Sequence, residues 1–256
     1  MIIDAHVNIT PDGRWFQTEH NASLERLLDE MARASVDRCL LVSMPGAATN
    51  RFIASVVERY PEKFRGVGHL VFSGDLEKQV DEIQAMGLSG VKIHPRAQGI
   101  NLCDERYDSL WRHFNDRRVT LLVDGYLQTA HPSVQVSHLL PLAYERHVKA
   151  HPDVTFILAH AGAHRVMDTF FFCRSCPNVY CDLSYSLSVF KDASFYRDFA
   201  YLARHADQKV LFGSDFPEIS LMDAKNDFQQ LVVNVEPDKT DRLWFQNALR
   251  LFWEKR

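Results

Sequence analysis

At 256 residues with 46% hydrophobic side chains, the chain can bury a sizeable core and matches the roughly 250 residues of a (β/α)8 barrel. A formal charge of -4 with scattered Lys and Arg gives no footprint for nucleic acid. No run approaches the ~18 apolar residues of a membrane span, so a small-molecule partner and a cytoplasmic location are expected.

Met1 to Val7 predicts a first strand, entered with no basic or long apolar leader. Ser23 to Ala34 repeats Leu24, Leu27, Leu28 and Met31 at helical spacing behind a Ser cap, and Arg38 to Ser43 follows as strand two. A helix over Asn50 to Tyr60 is closed by Pro61; strand three is Phe64 to Val71, the next helix Leu76 to Met86, and strand four Ser89 to Ile93. Then come a helix over Tyr107 to Asp116, strand five at Val119 to Val123, a helix over Leu139 to Ala150 and strand six at Val154 to Ala159. Helices over Arg165 to Arg174 and Phe190 to His205 flank strand seven at Val179 to Leu183, with strand eight at Val210 to Gly213 and its helix at Met222 to Asn234. Asp238 to Trp253 is an added C-terminal helix.

Eight alternating units without a linker predict an α/β fold, a closed (β/α)8 TIM-barrel forming a single domain over residues 1–256. Two connections, Asn8 to Ala22 and Gly125 to His138, are long and leave the C-terminal ends of strands, where such loops shape pockets. Five cysteines, an odd count, point to reduced thiols, and the isolated Cys173-x-x-Cys176 pair reads as structural.

Several apolar runs end in a metal-capable or proton-transferring side chain: His6 with Asn8, His94, Asp124, His160 and Asp215. Imidazole and carboxylate groups at rigid strand ends suit a divalent metal that activates water. Lys92 and His94 lie one pleat apart and share a side of strand four.

The motifs Ile3-Asp4-Ala5-His6, Gly90-Val91-Lys92-Ile93-His94-Pro95, Ala159-His160-Ala161-Gly162, Phe212-Gly213-Ser214-Asp215-Phe216-Pro217 and Asn247-Ala248-Leu249-Arg250-Leu251-Phe252 fall in order along the chain. With them the chain resembles the amidohydrolase superfamily, most closely the amidohydrolase-related branch of metal-dependent hydrolases and decarboxylases. Strand one of that branch usually ends His-x-His and strand five usually supplies a His; Asn8 and Asp124 stand at those places here. The resemblance implies His6 and Asp215 as metal ligands, and His160 as the residue that moves protons. Asp124 still offers a carboxylate, while Asn8 offers a neutral oxygen as a weak or indirect ligand. The expected cofactor is one divalent metal, zinc first, with manganese or magnesium admitted by the oxygen-richer set. Asp215 would also collect a proton from the attacking water.

The expected reaction is hydrolysis of an amide, lactone or ester, with decarboxylation as a variant on the same scaffold. The rival is a metal-free, non-catalytic binding or assembly protein on a degenerate barrel, kept open by the two departures. A phosphodiesterase would want a basic rim that the acidic balance lacks.

Lys92 is read as substrate contact or barrel packing, His94 and Arg96 as pocket residues, and Arg96 as a carboxylate binder. His69, Asp182, Ser184, His131 and His138 read first as structural, Asp4 as a backbone support, and His113, His147 and His205 as surface. Trp15, Phe16, Tyr126, Tyr185 and Phe216 would suit a ring or acyl group; Phe170 to Phe172 and Trp244-Phe245 would suit a homo-oligomer face.

Overall fold

The computed structural model describes residues 1–129 and 131–254. Within them, β1 (Ile3–Val7), β2 (Arg38–Val42), β3 (Phe64–His69), β4 (Gly90–Ile93), β5 (Thr120–Val123), β6 (Thr155–Leu158), β7 (Val179–Asp182) and β8 (Val210–Leu211) pair in sequence order, each parallel to the next. The ring closes through backbone bonds from Ala5 N to the Phe212 carbonyl (2.8 Å), Asn8 N to the Phe216 carbonyl (2.8 Å) and Asp215 N to the His6 carbonyl (2.9 Å). The described residues thus form a (β/α)8 barrel.

Alternation along the strands sorts the apolar side chains into two sets. Ile3, Ala5, Leu40, Val42, Leu122, Ile157 and Leu211 fill the interior, where Ala248, Leu251 and Phe252 of the terminal helix pack against them. Val7, Leu41, Val91, Ile93, Leu121, Val123, Leu158 and Val179 face outward into the helical layer. On β1 the ladder runs Asp4 to Cys39 and then Val7 to Leu41, so three steps oppose two. That bulge moves Val7 from the interior to the outer set and leaves His6 free to reach the barrel mouth.

Most helices start and stop where the sequence places them, with Ser23, Thr49, Asp75 and Ser220 capping the first turns of theirs. Two differ. Leu139 to Ala150 is helical only over Glu145–Ala150, after short 3-10 turns, because Pro141 holds Leu140 in extended backbone (ψ 143°). The helix expected from Phe190 begins at Tyr196, behind a short helix at Ser186–Val189. The terminal helix starts with Pro237 in its first turn and carries a π-helical turn at Arg242–Gln246. All five cysteines are free. Among the described residues no helix is long and apolar enough to cross a membrane.

Candidate active site

The strand ends surround a cleft of ≈ 280 Å³. His6, His94, Arg96, His160 and Asp215 line it, with Trp15 and Phe16 from one long loop and Tyr126 and Gln128 from the other. Its backbone support begins at Asp4, whose Oδ1 accepts from the amides of His6 and Ser214 (both 3.0 Å) and so ties β1 to the segment after β8. Burial pushes the Asp4 carboxyl up to about 7, against those hydrogen bonds.

Asp182 and Ser184, at the end of β7, organise two imidazoles. Asp182 Oδ2 lies 3.1 Å from His6 Nδ1, and its Oδ1 accepts from the His160 amide (3.1 Å) and the Ser184 hydroxyl. The Ser184 hydroxyl, having donated to Asp182, meets His6 Nδ1 at 3.2 Å and His160 Nδ1 at 3.0 Å as an acceptor. Burial alone would raise the Asp182 carboxyl, but the charge and hydrogen bonds of His6, His160 and Ser184 outweigh it and hold it well below the usual range.

These partners assign the tautomer of His6: Nδ1 carries the proton toward Asp182, and the Nε2 lone pair faces Lys92 Nζ at 3.5 Å. His160 differs. Its Nδ1 also faces the Ser184 carbonyl (3.1 Å) and its Nε2 faces Asp124 Oδ1 (3.2 Å), so both nitrogens meet acceptors and the imidazolium is the satisfied form. Burial disfavours that charge, yet the Asp124 bond and the carboxylates of Asp215 and Asp182 prevail, and its pKa rises.

Asp124 is fully buried. Its Oδ2 is bound by Arg96 Nε (2.5 Å) with His94 Nδ1 3.7 Å away, and its Oδ1 by His160 and the Tyr126 amide. Burial is again overridden, here by His160, His94 and Arg96, and the carboxyl stays well below its ordinary value. His94 is pushed down to about 4 by burial and by Lys92, and its Nε2 has no partner among the described residues. Asp215 turns its Oδ1 to Asn8 Nδ2 (3.1 Å) and to His6 Nε2 (3.6 Å).

The backbone at these positions is strained. Asp215 (φ 68°), His160 (φ 59°) and Tyr185 (φ 59°) are non-glycine residues in left-handed conformation, and strain of this kind gathers where a site dictates side-chain direction. At Gly125, next to Asp124, a Cβ would run into the Ala159 carbonyl, so only glycine lets the Asp124 and His160 segments approach.

The structure brings His6, Asn8, Asp124, His160 and Asp215 together, but not as one donor set for a metal. Asp124 is engaged on both oxygens by Arg96 and His160, and Asn8 turns its NH2 rather than its carbonyl to Asp215. His6 Nε2 and Asp215 Oδ1 remain, two donors where a catalytic zinc site uses three. His6, His160 and Asp182 also place ligand atoms within 4.8 Å of one another, but the Ser184 hydroxyl is bonded to all three and fills that space. The residues present therefore do not fit the expected metal site.

Other expectations are corrected. Of the two readings of Lys92, substrate contact or barrel packing, its full burial away from the cleft lining accords with packing. Phe216 is buried in the outer core, and His147, expected at the surface, is buried and stacks on Trp111 (centroids 5.0 Å apart). Phe171 is exposed while Phe170 and Phe172 are buried. Asp182 and Ser184 are more central than expected; the signal was their spacing, one pleat apart at a strand end like Lys92 and His94.

The profile of the Amidohydrolase family matches residues 3–252. No curated protein matches the sequence. Among solved structures, an uncharacterised TIM-barrel protein from Bordetella bronchiseptica superposes with a TM-score of 0.84 at 22% identity, over 98% of this chain and 97% of that one. A Pseudomonas putida protein described as a candidate 2-pyrone-4,6-dicarboxylic acid hydrolase gives 0.71 at 17%, over 100% and 98%. The 5-carboxyvanillate decarboxylase of Novosphingobium aromaticivorans, in complex with manganese and 4-hydroxy-3-methoxy-5-nitrobenzoic acid, gives 0.73 at 14%, over 98% and 95%. At these identities the likeness is one of fold. The family profile itself runs from the first strand to the terminal helix, and the chain belongs to the amidohydrolase family as a hydrolase-type enzyme.

Proposed function

We propose that the protein hydrolyses a small ester, lactone or amide that carries a carboxylate beside a planar or acyl group. The observation that carries this reading is one cleft onto which Asp215, His160 and Arg96 all open between aromatic walls. The two named neighbours support it, since each is described with a carboxylated ring as its substrate or ligand.

Asp215, oriented by Asn8, takes a proton from water as the water oxygen bonds to the substrate carbonyl carbon. The His160 imidazolium shares its Nε2 proton with the developing oxyanion. It then gives that proton to the leaving oxygen or nitrogen as the old bond breaks. Ser184 holds the ring through Nδ1 in both steps, and Asp124 gives up its hold on Nε2 as that proton passes to the substrate. Arg96 uses Nε for Asp124, which leaves its terminal nitrogens to pair with a substrate carboxylate, and its guanidinium lies 5.3 Å over the Tyr126 ring.

Divalent-metal dependence is general in the family. A metal here would draw on His6 and Asp215, and because that pair falls short of a donor set no step is routed through it.

The test is hydrolysis of a panel of carboxylated aryl esters, lactones and amides by the wild type, Asp215→Asn and His160→Asn. Turnover that falls by about 100-fold or more in each variant, the scale of a lost acid or base, supports the reading. Absence of turnover across the panel, or variants as active as the wild type, overturns it.

A further inference from the structure

Lys92 is a basic group of this region that the reaction above leaves without a task. Its side chain points from β4 into the barrel, is fully buried, and ends 3.5 Å from the His6 Nε2 lone pair. Burial pulls the Lys92 pKa below its ordinary value, and the charges of Asp124, Asp182 and Asp215 oppose that fall. A buried ammonium is very costly unless such partners surround it, so its retention needs an electrostatic reason.

The charge count supplies one. Asp124, Asp182 and Asp215 contribute three negative charges; Arg96, His160 and Lys92 contribute three positive ones. The cluster is balanced when Lys92 carries its proton. A divalent ion would leave two surplus positive charges in a buried site. It would also compete with Lys92 for the same imidazole lone pair, since Nδ1 of His6 is turned to Asp182.

We infer that the Lys92 ammonium is a resident cation that takes the place of the metal, holding His6 and balancing the carboxylates, so that the site works without a divalent ion and excludes one. Lys92 is then a positioning residue. The inference draws on the hydrolase reading only for what the site does; metal exclusion stands on Lys92, His6 and the three carboxylates.

The experiment is metal content and metal binding of untagged protein, by plasma mass spectrometry as purified and by equilibrium dialysis against zinc or manganese alone after chelator treatment. The wild type is expected to hold well under about 0.1 equivalent and to take up neither ion, while Lys92→Met, which keeps the shape and removes the charge, gains saturable zinc binding at His6 and Asp215, weaker than at a site of three protein ligands. A wild type that holds one or two equivalents overturns the inference, as would a bridged pair on a carboxylated Lys92, read by a mass increase of the intact chain. A folded Lys92→Met that still refuses metal also overturns it. If that variant does not fold, the wild-type measurement decides alone. Hydrolysis assayed in chelator separates the two readings: metal exclusion with no turnover sinks the hydrolase and leaves this inference standing.

Discussion

His160 Nε2 and Asp124 Oδ1 face each other at 3.2 Å across the ends of β6 and β5, both buried, while the other ring nitrogen faces the Ser184 carbonyl. An imidazole with acceptors on both sides is held as the cation, and that makes it a proton donor at neutral pH.

Asp124→Asn tests this pair. His160 is raised above its ordinary value of 6.5, so the stability it contributes is fully present below 6.5 and is lost as pH rises through the raised folded value. The variant should cost about 3–5 kcal/mol near pH 6, as for a broken buried ion pair, and less at pH 9. The penalty does not vanish at high pH, because Arg96 loses the same partner. Denaturant melts of both proteins at the two pH values give the comparison; a penalty that does not change with pH would contradict a charged His160.

Asp4 offers the opposite case, a carboxyl whose burial is incompletely offset. Its pKa is pushed up from 3.8 to about 7, so the stability it contributes is present below 3.8 and is lost progressively as pH rises through 7. Asp4→Asn keeps an oxygen for the His6 and Ser214 amides and removes the charge. The variant should melt several degrees above the wild type at pH 8.5, on the scale of about 2–4 °C per kcal/mol, and by a clearly smaller margin at pH 5, which lies early in that window. Calorimetry at both pH values decides, and a lower melting temperature at pH 8.5 would show that the charged form is needed.

The barrel was legible because buried parallel strands are unbroken apolar runs, and the first polar residue after each run marks the mouth. Asp215 and His160 stood out on that ground. Three things had no such signal. The β1 bulge that sends Val7 outward leaves the composition of the strand unchanged. The Arg96–Asp124 pair joins residues 28 positions apart, and that contact is what removes Asp124 from a metal donor set. Lys92 sits in an apolar run that fixes which face it takes, but the length of a lysine allows either the cleft or the depth beneath it. The Pro141 break in the expected helix, by contrast, was readable from the residue itself.

Arg96→Lys separates charge from geometry at the substrate end. Lysine keeps a positive charge near Asp124 but loses the planar fork whose terminal nitrogens are available to a carboxylate. For a carboxylated substrate KM should rise about tenfold, equivalent to ~1.4 kcal/mol, with a smaller change in kcat. For the corresponding methyl ester, which has no carboxylate to bind, KM should change little. Equal effects on both substrates would place Arg96 outside carboxylate recognition.

Gly125→Ala tests the distance on which the His160–Asp124 pair depends. The added methyl would strike the Ala159 carbonyl and lie 2.9 and 3.0 Å from the Leu158 side chain, which are backbone and packed core rather than a movable chain end. Ala159 precedes His160 and Gly125 follows Asp124, so relief requires the two catalytic segments to separate. Overpacking of this kind costs about 1–3 kcal/mol, which the barrel can absorb while folded. Asp124 would then support the imidazolium less well, and the His160 pKa should fall toward 6.5 in proportion. Titration of the His160 ring by NMR reads that fall directly, and the alkaline limb of the hydrolysis profile should move to lower pH with it. A destabilised variant whose His160 titrates as in the wild type would mean that the carboxylate follows the ring, and that Gly125 serves packing alone.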